Sequence, residues 1–204
     1  MTAPSLSSST PATRGGDAVP RRVLPPAFFE RPATEVAPDL LGAVLCRARG
    51  GTAVERLPLT EVEAYEGFED RASHAHRGRT PRNEVMFGPA GHWYLYLCYG
   101  VHWLANIVTG PPGHPGAVLL RGAGDISGPG RLTRALGVGK AENTRPAVPA
   151  SRFWIEAGTP PSPGEVITGP RVGVHYAGSR WAAKPWRWIL TRPSRREIRR
   201  IPRR

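Results

Sequence analysis

The sequence predicts an α+β protein in which strands dominate and helices are short, and three features predict it. First, 24 glycines and 23 prolines punctuate 204 residues, so turns are many and long helices few. Second, the apolar runs have strand length: 42–47, 59–65, 117–121, 153–155 and 185–190 are each only a few residues long. Third, residues 91–108 hold two β-rich runs that meet at Tyr99-Gly100, the pattern of a tight hairpin.

One domain is expected over 25–191. Residues 1–24 are rich in Ser, Thr, Pro and Gly, with hardly an apolar cluster, and are expected to be disordered. They show no amphipathic period of an organelle leader and no apolar core of a secretory signal. No apolar run approaches the ~20 residues that cross a bilayer. A cytoplasmic, non-secreted protein without a membrane partner is therefore expected, associated with the nucleoid if the source is bacterial. The net charge is +12, but seven arginines and one glutamate stand in 192–204, so the body itself is only mildly basic. An Arg-rich tail either grips a polyanion by releasing counterions from phosphates or is simply a solvated end. The two cysteines, Cys46 and Cys98, sit in apolar strand-like runs, which favours reduced, buried thiols over a disulfide or a zinc site.

In chain order, Val23 to Phe29 suits an extended entry onto a core. Thr34 to Leu41 reads as a short helix with Thr34 as its N-cap, although Pro38 complicates it. A strand at 42–47 and a turn at 49–52 lead to Leu59-Thr60-Glu61-Val62-Glu63-Ala64-Tyr65. Strand alternation puts Glu61, Glu63 and Tyr65 on one face and Thr60, Val62 and Ala64 on the other. Such a face is either a solvated edge or the wall of a polar cleft. The next segment, 66–83, is long and irregular and holds Glu69, Asp70, His74, His76 and four arginines, which inclines it to function. His74-x-His76 lacks a third ligand at a diagnostic spacing, so hydrogen-bonding histidines are expected rather than a metal site.

In the first arm of the hairpin, Tyr94 and Tyr96 share one side and Trp93, Leu95 and Leu97 the other, so one face can be core and the other a stacking surface. Tyr99 at the tip either folds back to pack or acts as a wedge of the kind that unstacks base steps. After the Pro/Gly turn 110–116, Arg121 ends an apolar strand, and a pairing with Glu63 would keep that carboxylate ionised and in place. A short helix through Leu136 and strands at 153–155, 169–174 and 185–190 complete the domain. No phosphate-cradling P-loop or dinucleotide fingerprint is present.

Several pieces taken together resemble the alkyladenine (3-methyladenine) DNA glycosylase family. They are Glu61-Val62-Glu63-Ala64-Tyr65, Glu69-Asp70-x-Ala72-x-His74, Thr80-Pro81-Arg82-Asn83 with Met86-Phe87, and Tyr94-x-Tyr96-x-x-Tyr99-Gly100 with Asn106-Ile107. Val118-Leu119-Leu120-Arg121, Ser127 to Leu132, Gly169 to Val174 and Lys184 to Arg187 follow in the same order. The resemblance implies one compact α+β domain around a curved antiparallel sheet, like the formyltransferase C-terminal domain fold, with a hairpin that intercalates into DNA. It implies a monomer that needs no cofactor or metal and acts on double-stranded DNA containing damaged purines. Carried onto this chain, Glu63 resembles the general base, with Arg121 and the main chain near His74 holding the hydrolytic water. Tyr65, His74 and Tyr96 resemble the pocket walls, with Asn106 screening out guanine and Leu119 beside the base. Tyr99 resembles the intercalator, flanked by DNA contacts from Gly100, Arg79, Thr80, Arg82 and Lys184. The segment between Arg121 and Ser127 is shorter than is common in the family.

That chemistry agrees with the residues. Aromatic walls attract a cationic alkylated ring, which is already a good leaving group, so a positioned water and one base suffice. A lyase would need an amine nucleophile, and the only lysines, Lys140 and Lys184, stand far from Glu63 in sequence. The expected enzyme is thus a monofunctional glycosylase that flips the purine, hydrolyses its N-glycosidic bond and leaves an abasic site. Two other readings compete: a non-catalytic, tRNA-binding module of the formyltransferase C-terminal type, and a glycosidase acting on free nucleosides. Glu63 with Arg121 and Tyr99 argues against the first, and the hairpin with the basic tail against the second.

Overall fold

The computed structural model describes residues 22–162 and 164–191. The expected tails, 192–204 and all but the last three residues of 1–24, lie outside the described residues. The chain begins with helices α1 (Pro26–Phe29) and α2 (Ala33–Asp39), then strands β1 (Val44–Ala48) and β2 (Val54–Glu66). After the irregular segment come β3 (Trp93–Cys98), β4 (His102–Thr109), β5 (Gly116–Ala123) and β6 (Ile126–Ser127). Helix α3 (Pro129–Leu136), β7 (Phe153–Glu156), β8 (Val166–Gly169), α4 (Ser179–Ala182) and β9 (Arg187–Leu190) follow. Every strand pairing is antiparallel, in the order β3-β4-β5-β2-β1-β7, with β9 pairing β2 and β8. The α+β expectation of an antiparallel sheet with few, short helices is met.

β2 is the organising strand. One edge pairs with β5, while the other pairs first with β1 and then, from Glu61 to Glu63, with β9. Its alternation is the expected one. Val62 and Ala64 enter the main core with Trp93, Leu95, Ile107, Val118 and Leu120, under α2 and α3. Each of those residues stands next to a neighbour on the opposite face, where a second cluster gathers Tyr94, Val108, Ala117, Met86 and Phe87. The sheet therefore has a helix-covered core side and a second side covered by the segment that follows β2.

Three local expectations are corrected. Pro26 to Phe29 forms a helical turn rather than an extended entry, because proline is well tolerated at the first helical position. Helix α2 starts one residue earlier, with Pro32 and not Thr34 at the N-cap; Pro38 falls in its last turn, and Leu40 and Leu41 are buried just beyond its end. The strand expected at 169–174 ends at Gly169, since the next residues turn and Gly173 takes φ +76°. Helix α3 matches expectation, entered from Gly128 at φ +102° and closed by left-handed Gly137.

One buried ion pair fixes the cover to the sheet. Asp70 and Arg171 are both fully buried; Arg171 Nη1 and Nη2 donate to the two carboxylate oxygens at 2.5 and 2.8 Å. Arg171 also donates to the carbonyl of Ala64 on β2, and Asp70 accepts the backbone N–H groups of Glu66 and Ala72. Removing one member would strand the other charge without water, a defect that costs about 3–5 kcal/mol. Asp70→Ala is accordingly expected to lower the thermal midpoint by roughly 10 °C, read by calorimetry on the purified protein.

Candidate active site

The pairing registers align a row of side chains across four strands. Glu63 on β2 lies opposite Leu119 on β5, Leu119 opposite Asn106 on β4, and Asn106 opposite Tyr94 on β3. Directly opposite residues share a face, so all four side chains point away from the helix-covered core. Tyr65 and Tyr96 flank this row. The irregular segment then brings Ala72, Ser73 and His74 over it, forming a half-open cavity of about 40 Å³ lined also by Met86, Tyr94, Asn106 and Tyr176. A larger cleft of about 1010 Å³ adjoins it, bordered by Tyr99, Gly100, Leu119, Arg121, Val172 and Arg82.

Glu63 has no solvent exposure. The Tyr65 hydroxyl donates to its Oε2 at 3.0 Å, the Val172 N–H to its Oε1 at 2.8 Å, and Arg121 Nε stands 3.4 Å from Oε1. Those three neighbours all line the cleft, so the carboxylate lies one side chain below the cleft floor. Burial raises its pKa above the ordinary 4.5, opposed first by the Arg121 charge and then by the bonds from Val172 and Tyr65.

The expected partner of Arg121 is only partly right. Arg121 Nε bonds Glu61 at 2.7 Å, closer than Glu63, and Arg187 Nε bonds the same Glu61 oxygen at 2.7 Å. The cause is a bulge. The β2–β5 register shifts on both sides of Glu61, which leaves Arg121 between the partners of Val62 and Glu61 and within reach of both carboxylates. Glu61 thus carries two guanidiniums, and Arg121 is fixed beneath Glu63 by an acid that sequence reading placed only on the same face.

His74 is exposed to the cleft. Its Nδ1 lies 2.8 Å from the Tyr94 hydroxyl, and its ring meets Tyr96 edge-on at 4.5 Å. Desolvation and then the Arg82 charge lower its pKa to about 4, so the imidazole is neutral at pH 7. Asn83 holds the His74 carbonyl at 2.9 Å and fixes the loop. Asn106 is buried and donates to the Tyr94 carbonyl at 3.1 Å.

The hairpin forms where it was expected. Tyr99 and Gly100 both have positive φ, at 49° and 70°, and the Val101 N–H closes the turn on the Cys98 carbonyl. Tyr99 does not fold back: it is 96% exposed, and Leu97 and Val101 beside it are exposed as well. Cys98 is half-buried rather than buried, because the ribbon projects past the core.

Of the candidate DNA contacts, Tyr99, Gly100 and Arg82 line the cleft; Arg82 also donates to the Leu97 carbonyl and lies over the Tyr96 ring. Arg79, Thr80 and Lys184 do not line it. Arg79 pairs with Glu84, Thr80 closes a turn with Asn83, and Lys184 sits over the rings of Trp181 and Trp186. Sequence reading missed the Val172 N–H, Arg187 and Tyr176. Tyr176 carried a usable signal, a lone aromatic in the Gly-flanked run Gly173 to Gly178, whereas a main-chain N–H carries none.

The methylpurine-DNA glycosylase family model matches residues 27–127 and 123–194. The two stretches meet at the β5–β6 turn, where the short segment after Arg121 lies. Relatives provisionally named 3-methyladenine DNA glycosylase agree. One from Anaeromyxobacter dehalogenans is 47% identical over 175 residues, covering 82% of this chain and 81% of its own. One from Streptomyces avermitilis is 44% identical over 191 residues, covering 82% and 87%. Another, from Nitrosococcus oceani, is 41% identical over 187 residues, covering 82% and 90%. With buried carboxylate, aromatic cavity and exposed ribbon on one face, the chain belongs to the methylpurine-DNA glycosylase family, the DNA glycosylases of alkylated-base repair.

Proposed function

We propose that this protein is a monofunctional glycosylase that takes alkylated or deaminated purines out of duplex DNA and hydrolyses the N-glycosidic bond, leaving an abasic site. The observation that carries the reading is the position of Glu63, which is hydrogen-bonded to a wall of the aromatic cavity and lies beside the cleft that the Tyr99 ribbon borders. The fold that goes with it is the formyltransferase C-terminal domain-like one, with a monomer as the working unit.

In this mechanism the ribbon enters the minor groove and Tyr99 fills the gap left by the extruded nucleotide. Extrusion costs a few kcal/mol, least for a damaged or mispaired base. The base stacks between Tyr65 and Tyr96 and meets the edge of neutral His74, while Asn106 crowds a guanine amine. Leu119, opposite Glu63, packs beside the base. Water admitted at the cleft floor between Tyr65 and Arg121 gives a proton to Glu63 as its oxygen bonds to the sugar carbon. The bond to the purine breaks with its electron pair going to the base. Arg121, itself fixed by Glu61, stabilises the ionised form of Glu63. The main chain at His74 helps to hold the water. Arg82 and Gly100 meet the phosphates at the cleft rim, and Arg79, Thr80 and Lys184 contact them only further out.

Both lysines lie outside the cavity and cleft linings, so neither lysine amine is placed there to form a Schiff base. Borohydride is expected to trap no covalent protein–DNA adduct in a denaturing gel.

Base release from methylated duplex DNA tests the carboxylate. Glu63→Gln is expected to lower kcat by at least about 100-fold while gel-shift affinity holds. The pH profile gives a second check. A base must be ionised, so activity falls as pH drops through the Glu63 pKa, which burial places above 4.5. His74 protonates only near pH 4, so this acid limb is expected to persist in His74→Gln. Tyr99→Ala is expected to reduce kcat/KM by ~10-fold or more through weaker flipping, with an unchanged melting temperature because that ring packs on nothing.

A further inference from the structure

All five tyrosines of the chain stand at the site: Tyr65, Tyr94, Tyr96 and Tyr176 line the cavity, and Tyr99 borders the cleft. Four of them stand on β2, β3 or the hairpin tip. Tyr176 does not, and its setting is unlike that of the other walls. The residue is 71% exposed although it lines both the cavity and the cleft, so it stands at the mouth that joins them.

The cavity alone, at about 40 Å³, is smaller than a purine, and it opens into the cleft, with which it shares Tyr65, Ser73, His74, Tyr96 and Tyr176. A base seated between Tyr65 and Tyr96 therefore extends through the open side and meets the wall that stands at the mouth. Tyr94, Asn106 and Met86 are packed in the sheet side and nearly inaccessible. Tyr65 is bonded to Glu63 and lies against the buried Arg171 guanidinium at 4.7 Å. Tyr96 is held between His74 and Arg82. The Tyr176 side chain is tethered by one hydrogen bond, its hydroxyl donating to the Ala72 carbonyl at 2.9 Å. Its backbone is nevertheless anchored, since Val174 and Ala177 are buried against Ala72. The ring can thus swing about its own side-chain bonds without unseating the segment that carries the Val172 N–H to Glu63.

We propose that Tyr176 is the movable outer wall of the base pocket, and that its ring sets the size of the purine admitted. This rests on the glycosylase reading and deepens it. A swinging ring discriminates by bulk: a base with an added ring must push Tyr176 further out than one of ordinary purine outline. Removing the ring should therefore favour the bulkier lesion.

The experiment compares kcat/KM for duplex oligonucleotides carrying hypoxanthine or ethenoadenine, with methylated duplex DNA as an independent substrate. Tyr176→Ala is expected to raise the ethenoadenine-to-hypoxanthine ratio about tenfold, the scale of steric discrimination by a pocket. Tyr176→Phe keeps the ring and should stay close to wild type. Thermal melting controls for folding, and Tyr176→Leu gives a second truncation. An unchanged ratio in both truncations, with the wild type active on methylated DNA, overturns the assignment of Tyr176 alone. A wild type that releases no base from methylated DNA overturns the glycosylase reading and this inference with it.

Discussion

The buried pair of Asp70 and Arg171 is the constraint on which the site depends. It joins three parts of the chain that no strand pairing connects: the end of β2, the segment carrying His74, and the segment carrying Val172. Arg171 reaches the Ala64 carbonyl between Glu63 and Tyr65, and its plane lies over the rings of Tyr65 and Trp186. Asp70 gathers the N–H groups of Glu66 and Ala72. A buried pair of this kind adds little net stability relative to apolar packing, but breaking it is costly. Its effect here is geometric. It forces two segments, irregular but for short 3₁₀ turns at Glu84–Phe87 and His175–Ala177, into one position against the sheet.

The sheet supplies the other half. The row from Glu63 through Leu119 and Asn106 to Tyr94 is a consequence of register, since a one-residue slip of any of these strands would turn its member of the row toward the apolar core. Register is held by the opposite face, where Val62, Val118, Leu120 and Ile107 are buried. Core packing and site geometry are thus two readings of the same alternation. The bulge at Glu61 is the exception that this strictness permits: by breaking step on both sides of that residue, it lets Arg121 serve two carboxylates from one strand position.

This explains what was legible in the sequence. Period-two alternation in 59–65 and 93–97 placed Glu63, Tyr65, Tyr94 and Tyr96 on the correct face, and a Tyr-Gly pair between β-rich runs located the ribbon tip, because both signals are local. The pairing of Arg121 with Glu63 is present, but its closer partner, Glu61, was missed because a bulge is a property of two strands together. Strand 169–174 was overextended because Arg171 and Val172 obey a long-range demand: Arg171 is drawn inward by Asp70, about a hundred residues away in sequence. The helix start at Ala33 rather than Thr34 is a smaller matter of proline geometry at Pro32. Likewise, nothing in the isolated run Gly173 to Gly178 reveals that Tyr176 meets Ala72.

The same architecture reconciles two demands on Glu63. A carboxylate free in water is a weak base, and one buried alone is held neutral. Here burial pushes the pKa up, while Arg121, the Val172 N–H and the Tyr65 hydroxyl oppose it, and the net direction is upward. Each of the three opposing groups also borders the cleft. The neutral His74 belongs to the same arrangement: desolvation beside Tyr94 and Tyr96 and then the nearby Arg82 charge lower its pKa to about 4, so the positive charge on the cleft wall comes from its arginines, Arg82 and Arg121 among them, and not from the imidazole.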